Sequence, residues 1–185
     1  MFTRLTNNIL PQTMDRYIWL LPILFIFHDF EEIIGARLWA AKNGAEICRR
    51  IPKAALIFNN LTTEGFALAV AEEFVLLLII CGLTFTGTRA FNLLWLGTFI
   101  AYTLHLVVHI GQAIVFRKYI PALATSIVCL PISIWILKDC LATIDASLVE
   151  IVAYSVVAVV AVVGNLVFAH WLARRFGEWM MRKMK

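Results

Sequence analysis

The stretch Tyr17-Ile18-Trp19-Leu20-Leu21-Pro22-Ile23-Leu24-Phe25-Ile26-Phe27-His28-Asp29-Phe30-Glu31-Glu32-Ile33-Ile34 begins as pure hydrocarbon and breaks at His28. As a helix, its first eleven residues reach only about 16 Å, roughly half of a bilayer core of about 30 Å. The segment spans a membrane only if the polar block lies in the membrane with it. The rest of the chain favours that reading. Of 185 residues, 62% are hydrophobic and 15% charged, with a mean hydropathy of +0.85, whereas soluble domains are about 45–50% apolar. The excess sits in long runs, as lipid demands of its solutes. A disordered, collagenous or nucleic-acid-coating chain is excluded.

Five stretches are long enough to span: about 17–35, 64–83, 91–116, 119–137 and 148–172. The polar, basic segment 37–63 reads as a cytoplasmic connector forming an interfacial or peripheral helix. No internal repeat or second domain is visible. The expected fold is therefore all-α, one integral membrane helical bundle of about five transmembrane helices over residues 1–185. Twelve Lys and Arg residues fall on the side of the connector, of Arg117-Lys118 and of the C-terminal tail, against four on the other side. The positive-inside rule then puts the N-terminus outside and the C-terminus in the cytoplasm. The formal net charge of +4 resides at the ends of apolar runs and points to anionic head groups rather than to nucleic acid.

Cys48, Cys81, Cys129 and Cys140 have neither paired nor ligand spacing and read as reduced, structural residues. The first sixteen residues lack the form of a cleavable signal peptide, so the first span is expected to do the targeting. Asn60-Leu61-Thr62 matches a glycosylation acceptor but falls on the predicted cytoplasmic side.

The informative residues are ionisable ones inside apolar runs, where each costs several kcal/mol unless it pairs, binds an ion or meets water. The first span carries His28, Asp29, Glu31 and Glu32, the second Glu72 and Glu73, the third His105 and His109. His28 precedes Glu31 by three residues and Glu32 by four, so imidazole and carboxylate share a face. His105 and His109 are one turn apart, and Tyr102 and Gln112 extend their stripe. Glu72 and Glu73 diverge by about 100°; Glu73 is preferred because Ala69, one turn earlier, leaves room for a neighbour. With about 1.5 Å of rise per residue, His28 to Glu32 lie about 16–22 Å below the outer surface, Glu72 and Glu73 about 17 Å, and the histidine pair about 20–26 Å. All three helices thus bring polar groups to one slab in the cytoplasmic half of the membrane.

Such a donor set suits a divalent Zn, Fe or Mn ion. The expected metal ligands are His28, Glu32, Glu73, His105 and His109. Glu31 is expected to act as general base or as an outer partner of the ligands, and Glu72 is a further catalytic candidate. Asp29 points away from the stripe, toward water or lipid head groups. The bland alternatives are that the histidines are packing residues and that Glu31 or Glu32 pairs with Arg37. No soluble metallohydrolase signature such as HExxH is present.

The order HxxEE at His28 to Glu32, AxxxE at Ala69 to Glu73 and HxxxH at His105 to His109 resembles the HXXEE family of small bacterial membrane proteins over residues 17–125. The resemblance implies a bacterial inner-membrane protein with an enzyme or metal site and supplies no substrate. The chain is more loosely similar to the CAAX-type membrane endopeptidases, whose paired glutamates, arginine and histidines act within the bilayer. It departs from them in having four residues between Glu32 and Arg37 rather than three, and a second His in place of Asn.

The leading expectation is a membrane-embedded, metal-dependent enzyme, hydrolase or oxidase, acting on membrane lipid or another lipophilic small molecule. The rivals are an ion-coupled or proton-relay transporter, against which stands the lack of an inverted repeat, a metal-free intramembrane endopeptidase of the kind the looser similarity implies, and a non-catalytic scaffold using the polar cluster as interhelical glue.

Overall fold

The computed structural model describes residues 12–50, 52 and 62–183, and no strand occurs among them. One helical turn, α1 (Gln12–Asp15), leads into α2 (Leu20–Arg50), α3 (Thr63–Thr84), α4 (Arg89–Phe116), α5 (Leu123–Thr143) and α6 (Leu148–Lys183). Helices α3 to α6 are each long and apolar enough to cross a membrane, so by length and composition the chain is a membrane protein. The polar block and the basic extension keep α2 from meeting the same measure. Its place beside the others comes from register instead. The Tyr17 hydroxyl donates to Asp139 Oδ2 at 2.7 Å, and fourteen residues later Glu31 meets Thr125, fourteen residues back along α5. The two helices therefore run antiparallel along the same span for about 21 Å.

Helices α2 to α5 form a square. Each sequence neighbour packs against the next, α5 closes back on α2, and α2 and α4 face each other across the middle. The diagonal contacts show that α2 and α4 are parallel and in step: Trp95 Nε1 donates to the Ile18 carbonyl at 3.2 Å and the Tyr102 hydroxyl to the Leu24 carbonyl at 3.0 Å. Helix α4 is the core of the molecule, with Trp95, Leu96, Phe99 and Leu106 all buried. Helix α6 lies outside the square, against α3 and α4, and turns Val149, Val152, Val156, Val160, Val163 and Val167 outward. Lipid is as apolar as these side chains, so close backbone approach, not hydrophobic expulsion, must hold α6. Gly97 permits it: a Cβ there would come within 2.7 Å of the Tyr154 carbonyl oxygen.

Several boundaries differ from expectation: the fifth span, expected to end near 172, continues as helix to Lys183, and the fourth, expected to end near 137, to Thr143. Where a span ending near residue 35 and a separate connector were expected, α2 continues unbroken for 31 residues, about 46 Å. The turn between α4 and α5 docks on this extension. Trp39 Nε1 donates to the Tyr119 carbonyl at 2.6 Å, and Lys118 Nζ reaches Glu46 at 2.5 Å and Asn43 at 3.3 Å. The lysine holds the Glu46 carboxyl below its usual pKa range. The fourth span begins at Leu123 rather than near 119, because Ala122 adopts left-handed backbone with φ 77° and Tyr119 to Pro121 form the turn. Most of the rest of the connector, Asn60 included, lies outside the described residues.

Candidate metal centre

The block on α2 turns two different faces to its neighbours. His28 and Glu31, three residues apart, look toward α5. Asp29 looks toward α3, while Glu32, three residues further on, reaches His109 on α4. His105 and His109 on α4 stand diagonally opposite.

One nitrogen from each of His28, His105 and His109 lies within 4.8 Å of the other two. The His28 ring centroid is 5.5 Å from that of His105 and 5.1 Å from that of His109. Nε2 of His105 and Nε2 of His109 are 2.8 Å apart. That suits a hydrogen bond between neutral rings, and it also suits two ligands of one ion, since nitrogens about 2.1 Å from a metal and at right angles are about 3.0 Å apart. Glu32 Oε1 stands 3.3 Å from His109 Nε2. His28 is wholly buried, and its Nε2 has no hydrogen-bond partner.

The other nitrogen of His28 is held by α5. Nδ1 lies 3.1 Å from Thr125 Oγ1, and that hydroxyl lies 2.6 Å from Glu31 Oε2. Its other possible acceptors, the carbonyls of His28 at 3.4 Å and Ala122 at 3.3 Å, are poorer. The hydroxyl proton therefore goes to the carboxylate, and the lone pair it leaves accepts His28 Nδ1–H. That assignment puts the free lone pair of His28 on Nε2, on the ring edge opposite Thr125.

Glu31 does more than anchor Thr125. Helix α5 starts in apolar surroundings with no side-chain cap of its own, and its early N–H groups need an acceptor. The Glu31 carboxylate receives the backbone N–H of Thr125 at 2.7 Å and of Ala124 at 3.3 Å, together with the Tyr119 hydroxyl. Four donors on two oxygens leave it fit to position His28 and unsuited to accept a substrate proton. It does not pair with Arg37.

The remaining acids divide. Glu73 on α3, expected as a ligand, is not among the residues whose ligand atoms gather with the histidines. Glu72, the other catalytic candidate, is not brought to the histidines and instead accepts from Asn165 Nδ2 on α6 at 3.1 Å. Asp29, expected at water or head groups, is 4% exposed, because α3 covers that face of α2. The sequence reading missed Thr125 and Tyr119. The available signal was a helix beginning Ala-Leu-Ala-Thr, uncapped by its own side chains.

A family model described as "Protein of unknown function with HXXEE motif" matches residues 19–136. The chain belongs to the HXXEE family. The match runs from the start of α2 into α5, so it takes in the whole H-x-x-E-E block, Glu72, Glu73, both α4 histidines and Thr125, and leaves α6 outside. No curated protein and no solved structure matches the chain.

Proposed function

We propose that this HXXEE protein is a membrane-embedded, metal-dependent enzyme acting on a lipid or another lipophilic substrate. The observation that carries the reading is the convergence of His28, His105 and His109 in a bundle core with Glu32 against His109. Hydrogen-bond glue between membrane helices is worth less than about 2 kcal/mol per pair in measured cycles. Several ionisable groups in one core call for a stronger partner, and three neutral imidazoles with a carboxylate suit Zn(II), Fe(II) or Mn(II). Such an ion supplies a bound water acidic enough for hydrolysis near neutral pH or, as iron, a seat for oxygen chemistry. His28 would hold it through Nε2, with Thr125 and Glu31 fixing the ring. Glu32 would complete the set, and the surrounding helices would exclude bulk water. With the arginine-rich ends of α2 and α6 in the cytoplasm, the centre serves the cytoplasmic leaflet of a bacterial inner membrane.

Elemental analysis of detergent-purified protein tests this, with wild type beside His105→Ala and Glu32→Gln. Stoichiometric transition metal in the wild type, lost in both variants, is the expected result. Metal-free wild type showing pH-dependent ion flux in liposomes would replace the enzyme with a carrier.

A further inference from the structure

Helix α6 does not stay with α4 along its length. Near its outer end it packs on α4, where Gly97 lets the Tyr154 backbone approach. Eleven residues later Asn165 is bonded to Glu72 on α3 at 3.1 Å. Further on, the Ala173 backbone closes on Gly65 at the start of α3, and Gly177 meets Thr62. Helices α4 and α6 run in the same direction, so Val108, eleven residues or about 16 Å past Gly97, lies at the depth of Asn165. At that depth α6 stands on α3 and has left α4.

Burial along one face of α4 records the departure. Leu93, Gly97 and Ala101 are buried. Leu104 and Val108 continue the same stripe at helical spacing and are 52% and 53% exposed, and Gln112 and Val115 below them are exposed as well. A Cβ added to Gly111 on α4 or to Gly164 on α6 would meet nothing within 4 Å. His105 belongs to this stripe, four residues after Ala101 and three before Val108, and of the three clustered histidines it alone is not buried. The uncovered face therefore starts at the centre and runs to the cytoplasmic end of α4. From Leu104 to Arg117 it measures about 20 Å, close to one leaflet with its head groups, half of about 40–45 Å. At that end Lys118 is held by Glu46 and Asn43. Arg117 takes part in none of the ion pairs among the described residues. It closes α4 in left-handed backbone with φ 51°, which glycine adopts with less strain, so ending the helix gives no reason for an arginine there.

We infer that the uncovered face of α4 binds one acyl chain of an anionic phospholipid from the cytoplasmic leaflet, its phosphate on Arg117 and its chain running past Gln112 and Val108 to His105. This rests on the metal reading proposed above and deepens it by naming the substrate class and the side from which it enters. The outward valines of α6 meet lipid too. Two features set the α4 face apart from them: a residue of the histidine cluster stands within the stripe, and an unpaired guanidinium at its end suits a phosphate through charge-assisted hydrogen bonds.

The test places the full chain in nanodiscs containing a phosphatidylglycerol with a diazirine in its acyl chain, and maps the photolabelled residues by mass spectrometry. The expected result is labelling of residues 104–112 that unlabelled phosphatidylglycerol competes away and phosphatidylcholine does not, beside uncompeted labelling of the outward valines of α6. Val108→Trp, at a lipid-facing position, should cut the α4 labelling several-fold, and Gln112→Trp blocks the same path if that variant does not fold. Arg117→Gln should let phosphatidylcholine compete as well as phosphatidylglycerol. Equal, uncompeted labelling of α4 and α6 would overturn the proposal and reduce the face to contact with bulk lipid. Equal competition by both lipids in the wild type would overturn the assignment to an anionic head group. Labelling needs no metal, so elemental analysis of the same sample separates the two readings. Bound metal with uncompeted labelling removes the lipid site alone, and competed labelling without metal removes the metal and leaves the lipid site standing.

Discussion

Glu31 and Asp29 stand two residues apart on α2 and are treated in opposite ways. Glu31 has four hydrogen-bond donors and caps α5. Asp29 is more deeply buried and has an oxygen with no partner at all. One side of the block is satisfied by the protein alone, and the other is left open within it. Membrane helices can rarely leave a polar group unsatisfied without a functional reason, so the contrast separates the scaffold of the centre from its chemistry.

The largest effect should come from breaking the satisfied side. Glu31→Ala strips the first turn of α5 and leaves the Tyr119 and Thr125 hydroxyls unpaired, at a cost of about 2–4 kcal/mol. A thermal-unfolding midpoint in detergent that falls by several degrees checks this; an unchanged midpoint would show that the cap contributes nothing. Next is Thr125→Val, which keeps shape and removes the hydroxyl that orients His28. Loss of such an outer partner typically costs 10–100-fold in metal affinity, to be measured by competition with a chromophoric chelator, and Thr125→Ser should restore most of it.

The open side should respond with the opposite sign. Asp29→Asn replaces a buried ionisable group whose Oδ2 has no partner with an uncharged one of the same shape, so the metal-free protein should become more stable, by about 1 kcal/mol. A lower midpoint in the stripped protein would mean that Asp29 has a partner after all. Asn165→Ala, which takes from Glu72 its donor on the lipid-facing helix α6, should leave metal content unchanged and so keep Glu72 apart from the centre. The smallest effect concerns the outer continuation of the satisfied side. Lys118 holds the Glu46 pKa below its ordinary value near 4.5. The tie is therefore fully present above that value and is lost as pH falls through the lower folded value. Hydrogen exchange in residues 43–50 should quicken on such acidification, and Lys118→Ala should abolish the change.

The sequence made the long rods legible because lipid imposes a length and a composition on whatever crosses it. It did not show α2 continuing past residue 35, because Ala36-Arg37-Leu38-Trp39 reads equally as the end of one helix or the middle of a longer one. What decides is Trp39 and Glu46 meeting a turn some 80 residues away. His28, His105, His109 and Glu32 were legible since each lies on a face set by helical period, and α2 and α4 run parallel in step. Thr125 was invisible because one hydroxyl at the start of an apolar helix carries no pattern of its own. Asp29 was misread because a single helix shows which residues share a stripe but not that a second helix covers the adjoining one.

The bond from Glu31 to Thr125 joins residues 94 positions apart, and this separation has a consequence during synthesis. At about 5–20 residues per second, a ribosome needs roughly 5–20 seconds to deliver α5 after α2 has emerged. Throughout that interval the opening segment is too short in hydrocarbon and too rich in acid to settle across the bilayer unaided. It must wait at the head groups or in the translocon until its later partner arrives, so a chain truncated before Thr125 should fail to seat its own beginning.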